Sequence, residues 1–299
     1  NTSYALFGQL TWSMTESLDL TVGGRQTWDE KEMDQRFTTN ARTVFVYDLQ
    51  GLEDDWSQFT PRVSLDWKIT DDAMVYVTYS EGYKSGLFLS QQSNPLTAGS
   101  TLDPEEATNY EIGARTEWLD NRLRFNITYF DLEVKGLQLF RLENLMLITE
   151  NADQESSGVE IDFSAAVTDN FSLSGTFSTL DSKFIGGQFD GNDVARSPDS
   201  TYSLVAAYNA PMESGAAVDF RVSAAYSDEY FMEATNTLRS QTYDYTSIDA
   251  SVRYTHVDAQ WDLEFWGKNL TDELIIAHSI DGSRGGTVAL YAPPRTVGF

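Results

Sequence analysis

The 299-residue chain contains no cysteine. Disulfide staples and thiolate metal sites are therefore excluded, which fits a protein of the cell envelope. No apolar run approaches the ~20 residues of a spanning helix, so an α-helical membrane protein is excluded as well. Basic residues are scarce, with 20 Lys and Arg against 46 Asp and Glu and a net charge of −26. That balance argues against binding nucleic acid through a basic surface. The acidic excess reads either as solvation of loops and a polar interior surface, or as attraction of cationic ligands and divalent ions. Histidine occurs twice, as His256 and His278, and neither has a second histidine at metal-ligand spacing. No Gly-x-Ser-x-Gly elbow frames a candidate serine. Carboxylates are numerous, but the sequence gives no separation by which to test a glycosidase-like pair. Asp190-Gly191-Asn192-Asp193 offers oxygen ligands suited to Ca²⁺ but lacks the spaced set and closing Glu of an EF-hand, and reads better as a turn. No catalytic, metal-binding or cofactor-binding residue is assigned, and the expectation is a protein that is not an enzyme. Asn1-Thr2-Ser3-Tyr4 opens directly on strand-like sequence rather than on a signal peptide, so the expectation is that a signal was removed or that the chain is a fragment.

What the chain does have is alternation. From Arg62 to Thr70 every odd position (Val63, Leu65, Trp67, Ile69) is apolar and every even one polar. Period two over nine residues predicts a strand with one apolar and one polar face. The pattern recurs around Leu18–Val22, Leu123–Tyr129, Val159–Ala165, Phe171–Phe177, Val218–Tyr226, Ile248–Tyr254 and Trp261–Phe265. Each segment is close to the ~9–11 residues that cross a bilayer as a tilted strand.

The connections alternate too. Short polar turns are predicted at 14–17, 70–73, 120–121, 168–170, 211–215 and 256–260, and long irregular loops at 29–59, 85–108, 184–197, 230–242 and 271–286. The connection at 142–146 is the exception, being short where a long one is due. Tight turns at one end and long loops at the other is the arrangement of a transmembrane β-barrel with periplasmic turns and extracellular loops. Aromatics make up 13% of the chain. Trp12, Trp67, Trp118, Tyr254 and Trp261 each fall near a short turn, as an interfacial girdle requires, the alternative being ordinary core aromatics. The count is roughly thirteen strands, an odd number where single-chain bacterial barrels have an even one. Further strands are therefore expected before Asn1, since an open sheet edge is not viable in lipid.

Several ordered motifs resemble the barrel of TonB-dependent outer-membrane receptors. They are Phe59-Thr60-Pro61-Arg62-Val63-Ser64, the run Val75 to Gly86, Pro104-Glu105 with Asn109-Tyr110-Glu111-Ile112-Gly113-Ala114-Arg115, and Asn151-Ala152 with Ser157-Gly158-Val159-Glu160. Trp266-Gly267-Lys268-Asn269-Leu270-Thr271-Asp272 and Ala292-Pro293-Pro294-Arg295-Thr296-Val297-Gly298-Phe299 complete the set. The resemblance implies that residues 1–299 are the C-terminal portion of an antiparallel barrel of about 22 strands closed by a plug. The plug, the TonB-contacting segment and the first strands are expected to lie outside this chain, and Phe299 is either the family's terminal aromatic on a shortened strand or a point before it. Glu111, Arg115, Glu160, Asp162 and Arg253 fall on the polar phase and are expected to face the lumen, where they would contact the plug. Gly82, Gly86 and Gly158 are expected where strands meet the loop side.

The implied function is import of a scarce nutrient, a ferric siderophore above all, across the bacterial outer membrane, with TonB and its inner-membrane energising complex, outer-membrane lipid and lipopolysaccharide as partners. The alternatives are a plugless channel or adhesin-like barrel, and a secreted soluble β-sandwich binding module. Ligand-binding residues stay unassigned. Tyr230, Phe231 and Met232, Leu87–Leu89, and Arg284 with Tyr291 are candidates for an outer vestibule, with plain loop packing as the other reading.

Overall fold

Successive side chains of an extended strand point to opposite faces, so strict alternation sorts a sheet into two surfaces of different chemistry. The computed structural model describes residues 1–38, 45–89, 97–143, 146–258, 260–282 and 286–299. In chain order the strands are β1 (Thr2–Ser13), β2 (Leu18–Thr38), β3 (Phe45–Thr70), β4 (Ala73–Lys84), β5 (Leu87–Phe88), β6 (Thr101–Leu102), β7 (Glu105–Trp118), β8 (Leu123–Glu143) and β9 (Met146–Ala166). They continue with β10 (Phe171–Ile185), β11 (Ser200–Pro211), β12 (Ala217–Ser227), β13 (Tyr245–Thr255), β14 (Asp262–Lys268), β15 (Ile276–Gly282), β16 (Gly286–Tyr291) and β17 (Thr296–Gly298). Thirteen of them form one antiparallel sheet in chain order, β1-β2-β3-β4-β7-β8-β9-β10-β11-β12-β13-β14-β17. The other four pair as two small hairpins, β5 with β6 and β15 with β16.

The register aligns Leu20, Leu65, Val77 and Ile112 in one row across four strands. On the opposite face the neighbouring row is Thr11, Thr21, Ser64, Thr78 and Glu111. Leu65, Val77 and Ile112 are 40, 53 and 55% exposed, whereas Thr21, Ser64 and Thr78 are only 8, 6 and 3% exposed. A soluble sandwich buries the apolar row; here it is the outer surface and the hydroxyl row is covered. A continuous exposed apolar face belongs against hydrocarbon. The soluble-sandwich alternative fails on this inversion. Hydroxyl pairs join neighbouring strands on the polar face: Thr11 with Thr21 at 3.0 Å, Ser64 with Thr78 at 3.0 Å and Thr176 with Ser203 at 2.9 Å.

Trp12, Trp67, Trp118 and Trp261 stand on the apolar face beside the short turns, each more than half exposed. A second belt, which the sequence did not reveal, crosses the other end of the strands. Its members pair across strands: Tyr4 with Trp28 at 5.4 Å, Tyr79 with Tyr110 at 5.1 Å, and Tyr202 with Tyr226 at 4.9 Å between ring centroids. Two belts bracket the apolar band, as a membrane with two interfaces demands.

The loop side departs from expectation. Residues 29–59 are not an irregular loop. β2 and β3 stay paired from Asp29 opposite Trp56 out to Thr38 opposite Phe45, with residues 39–44 outside the described ones. β8 and β9 likewise pair far beyond the apolar band, out to Glu143 opposite Met146, which accounts for the exception at 142–146, with residues 144–145 outside the described ones. Gly158 is not at a strand end either. It lies within β9, where an added Cβ would sit 2.0 Å from the Thr179 carbonyl oxygen and 3.0 Å from the Phe130 ring.

The turn after β14 is organised by one residue, whose amide nitrogen also reaches the Pro293 carbonyl ahead of the last strand (3.4 Å). Asn269 is buried at φ 49°. Its backbone N–H donates to Asp249 (2.8 Å), its amide nitrogen to the Glu273 carbonyl (2.9 Å), and its amide oxygen accepts the Glu273 N–H (3.0 Å). Arg295 then donates to the Asp272 carboxylate at 3.0 Å, leading the chain into β17, which pairs with β14 over three residues. Asn269→Ala removes the amide's bonds and keeps a left-handed backbone that alanine disfavours. It is expected to cost about 2 kcal/mol, read as earlier urea detachment of a probe on β17. Unchanged protection of β17 would contradict this.

Candidate functional site

Above the apolar band the extended strands and loops fold into two assemblies on the loop side of the sheet. The first is a strap, made of residues 85–89 and 97–104, slung between the hairpins β2–β3 and β8–β9. Both hairpins carry the same device. Gly51 and Gly136 adopt φ 64° and 68°, next to register shifts. The N–H of each donates at 2.8 Å to an aspartate of the paired strand, Asp34 and Asp153 respectively. A left-handed glycine at a bulge re-aims the strand. Buried amides beside each bulge grip the strap. Gln35 donates to the Leu89 carbonyl (2.8 Å) and accepts from Gly99 N–H (2.9 Å). Gln138 donates to the carbonyls of Ser85 and Asp103, both at 3.0 Å. Lys31 adds a bond to the Gly86 carbonyl at 2.6 Å while its ammonium lies 5.5 Å from the Trp56 ring centroid. Gly86 is required there, since a Cβ would come within 2.3 Å of Trp56 and 2.6 Å of the Leu102 carbonyl oxygen.

The second assembly joins residues 186–199 to residues 228–244. Its apolar centre is Phe184, Phe189 and Ala234, packed against Leu137, Leu139, Ala152 and Val194. Asn236, at φ 48°, accepts from the Asp193 N–H (2.6 Å) and donates to the Asp193 carbonyl (3.0 Å). Asn192 donates to the Ala234 carbonyl at 2.8 Å, and Arg196 N–H to the Phe231 carbonyl at 2.7 Å. The Asp190–Asp193 stretch is therefore a turn whose polar atoms are engaged in the protein: Asp190 accepts from Gly186 N–H and Asp193 pairs with Lys183. Among the described residues no group of three or more His, Cys, Asp or Glu is arranged to hold a metal ion. Burial, and then the carboxylates of Asp193 and Asp228, push the Asp199 carboxyl above its ordinary value.

The vestibule candidates divide between these assemblies. Leu89 and Met232 are buried, at 8 and 6% exposure, and serve packing. Leu87, Phe88, Tyr230 and Phe231 are half-buried, and Tyr291 is exposed at the end of β16. Arg284 lies outside the described residues. His256 sits in its turn, paired with Asp258 and stacked on Trp261 at 4.8 Å, far along the fold from His278 in β15. Sequence reasoning missed Gln35, Gln138 and Asn236, because an isolated amide carries no signal until its partners, tens of residues away, are known.

The five polar-phase residues all lie on the polar face. Asn109 donates to Glu111 at 2.6 Å, Asn126 to Asp162 at 2.9 Å and Arg253 to Glu264 at 2.7 Å. Arg115 lies over the Tyr76 ring at 5.1 Å, and Glu160 stands opposite Thr128 and Ser178 in register. Two grooves open on this wall. One of about 350 Å³ is lined by Arg221, Asp249, Ser251, Glu264, Trp266 and Lys268. The other, about 630 Å³, lies by the short turns between Lys68, Asp72, Tyr76, Arg115, Glu117 and Arg124. Each mixes both signs of charge, which suits a protein surface bonded by ion pairs more than a single charged ligand.

Residues 1–270 match the family model described as TonB dependent receptor-like, beta-barrel. The pesticin receptor of Yersinia pestis is 25% identical over 304 aligned residues, covering 99% of this chain and 42% of that protein. Among solved structures, the ferric yersiniabactin uptake receptor FyuA from Yersinia pestis superposes with a TM-score of 0.87 at 21% identity, covering 99% of this chain and 44% of that one. The siderophore receptor PiuA from Acinetobacter baumannii does so with a TM-score of 0.75 at 20% identity, covering 99% and 42%. The chain thus spans about two fifths of the length of these proteins.

Proposed function

Since this chain belongs to the TonB-dependent receptor β-barrel family, we propose that it is the C-terminal part of the barrel of a receptor that imports a ferric siderophore across the bacterial outer membrane. The observation that carries the reading is the two-faced sheet, apolar and exposed outside, charged and hydrogen-bonded inside, with short turns at one end and built loop assemblies at the other. Two relatives of similar fold are named for siderophore uptake, which favours that cargo over other scarce nutrients. In this reading the loop assemblies form one side of the outer mouth, and the wall with Glu111, Arg115 and Glu160 faces a plug. Energy comes from the inner membrane through TonB, which engages a segment outside this chain. Lipid and lipopolysaccharide cover the apolar face. The protein is a transporter without covalent chemistry and without a resident cofactor.

Deleting the gene for the full-length protein is expected to bring uptake of one or more radiolabelled ferric siderophores to background in iron-starved cells. Removing TonB should do the same. Uptake that survives loss of TonB would favour a passive channel. Uptake of all tested siderophores unchanged by the deletion would remove the cargo assignment.

A further inference from the structure

The larger wall groove holds a cation that the wall itself does not neutralise. Tyr76 on β4 stands opposite Gly113 on β7 in register. A Cβ at Gly113 would come within 2.6 Å of the Tyr76 ring, so only glycine lets that ring lie across the neighbouring strand. The Tyr76 hydroxyl meets the Thr128 hydroxyl on β8 at 2.8 Å, and Tyr76 is buried. The ring is thereby fixed at both ends. The Arg115 guanidinium lies on it, 5.1 Å from the centroid, and the Arg115 side chain is otherwise exposed to the groove of about 630 Å³ beside the short turns. The other cations of this groove are paired, Lys68 with Asp19 at 3.5 Å and Arg124 with Glu117 at 3.3 Å. Asp162, two strands from Arg115 in the same row, is bonded by Asn126 at 2.9 Å. Asp71 and Asp72 line the groove from the turn, and among the described residues no carboxylate forms an ion pair with Arg115.

We propose that Arg115, set on the Tyr76 ring, is an anchoring point for a carboxylate side chain of the plug domain in the full-length receptor. A guanidinium keeps its charge in proteins and presents its donors in a planar fork that matches a carboxylate. Stacking on the ring engages one face of the guanidinium and leaves the donor edge open. Charge complementarity fixes the sign of the partner. Acidic residues outnumber basic ones by 46 to 20, yet no carboxylate of the wall meets Arg115, so the anion comes from outside the wall. The groove's remaining charges are of both signs and largely matched within the wall, which suits a folded protein surface more than a free anion. Arg115 lies three residues before the end of β7, so the anchor sits at the short-turn end of the lumen. The inference rests on the transport reading, in which a plug domain is present.

The test uses the full-length receptor in isolated outer membrane. Arg115→Lys keeps the charge and supplies an amine that a water-soluble carbodiimide joins to any carboxylate in contact. Peptide mass spectrometry is expected to find that amine joined to an Asp or Glu of the plug domain. Arg115→Gln removes the charge, and added protease should then cut the plug domain at least fivefold faster than in wild type. Salt at about 0.5 M should speed the wild-type cleavage and leave Arg115→Gln unaffected, because it screens the ion pair. Arg115→Lys should stay protected. A crosslink that is absent or confined to Asp72, Glu117 or Asp162 would overturn the anchor, as would unchanged cleavage in Arg115→Gln or a wild-type rate indifferent to salt. A full-length protein without a plug domain would remove the transport reading instead, so the two failures are distinguishable.

Discussion

Phe184→Ala is expected to release the second loop assembly while leaving the sheet intact. Phe184 is 1% exposed and packs on Phe189 at 5.6 Å between ring centroids, with Ala234 completing the buried centre. Phenylalanine-to-alanine changes at such sites cost about 3–5 kcal/mol through lost transfer energy and the cavity left behind. Few other buried apolar side chains hold these loops, so the loss falls on them. β10 itself stays anchored by its ladders to β9 and β11. Proteolysis of the folded protein should then cut within 186–199 and 228–244 at least tenfold faster than in wild type, with the strands spared. Equal rates would mean that the hydrogen bonds of Asn192, Asn236 and Arg196 suffice without the aromatic centre.

Val77→Arg should block stable insertion, whereas arginine on the same strand at Ser80 should not. Val77 is 53% exposed on the apolar face, in the row with Leu65 and Ile112. It lies four residues from the start of β4. At ~3.3 Å per residue and a tilt near 40° that is about 10 Å from the turns, close to the middle of an apolar band about 25 Å tall. Arginine at the midplane of a barrel's lipid face costs about 2–4 kcal/mol. Ser80 is on the polar face, opposite Arg62 and Asn109, and a charge there costs at most about 1 kcal/mol. Urea titration of the receptor in lipid vesicles measures both. Equal destabilisation at the two positions would mean that the faces are assigned the wrong way round.

Both predictions show where legibility in the sequence ends. The face that Val77 takes follows from the sequence, because a strand's side-chain period is two and the two faces meet different surroundings. A one-residue slip would put Asp66, Thr78 and Glu111 into lipid, so polarity alone pins the phase. The same reasoning located the short turns, where the pattern breaks, and the tryptophans beside them. Phe184 could not be placed in this way. It continues the polar phase of β10 past the bilayer, where water replaces lipid and alternation no longer discriminates. There its neighbours come from β8, β9 and two loops, which only the fold brings together.

The long hairpins failed to register for a related reason. Between Asp29 and Phe59 one face (Glu30, Glu32, Asp34, Glu53, Asp55) is polar and wet and the other packs on the strap through Gln35 and Trp56, so no alternation against lipid marks the stretch and it reads as loop although it is paired strand throughout the described part. The bulges at Gly51 and Gly136 each depend on an aspartate 17 residues away in the chain, and the strap depends on Gln35 and Gln138 reaching carbonyls more than thirty residues distant. Sequence alone determined the membrane-crossing part of the sheet: its class, its alternating segments, the face each side chain takes there and the end at which the turns lie, because those follow from local periodicity against two solvents. Tertiary structure alone decided what the outer loops build and how β17 is held. Those contacts are single polar pairs between distant segments, and nothing periodic in the chain announces them.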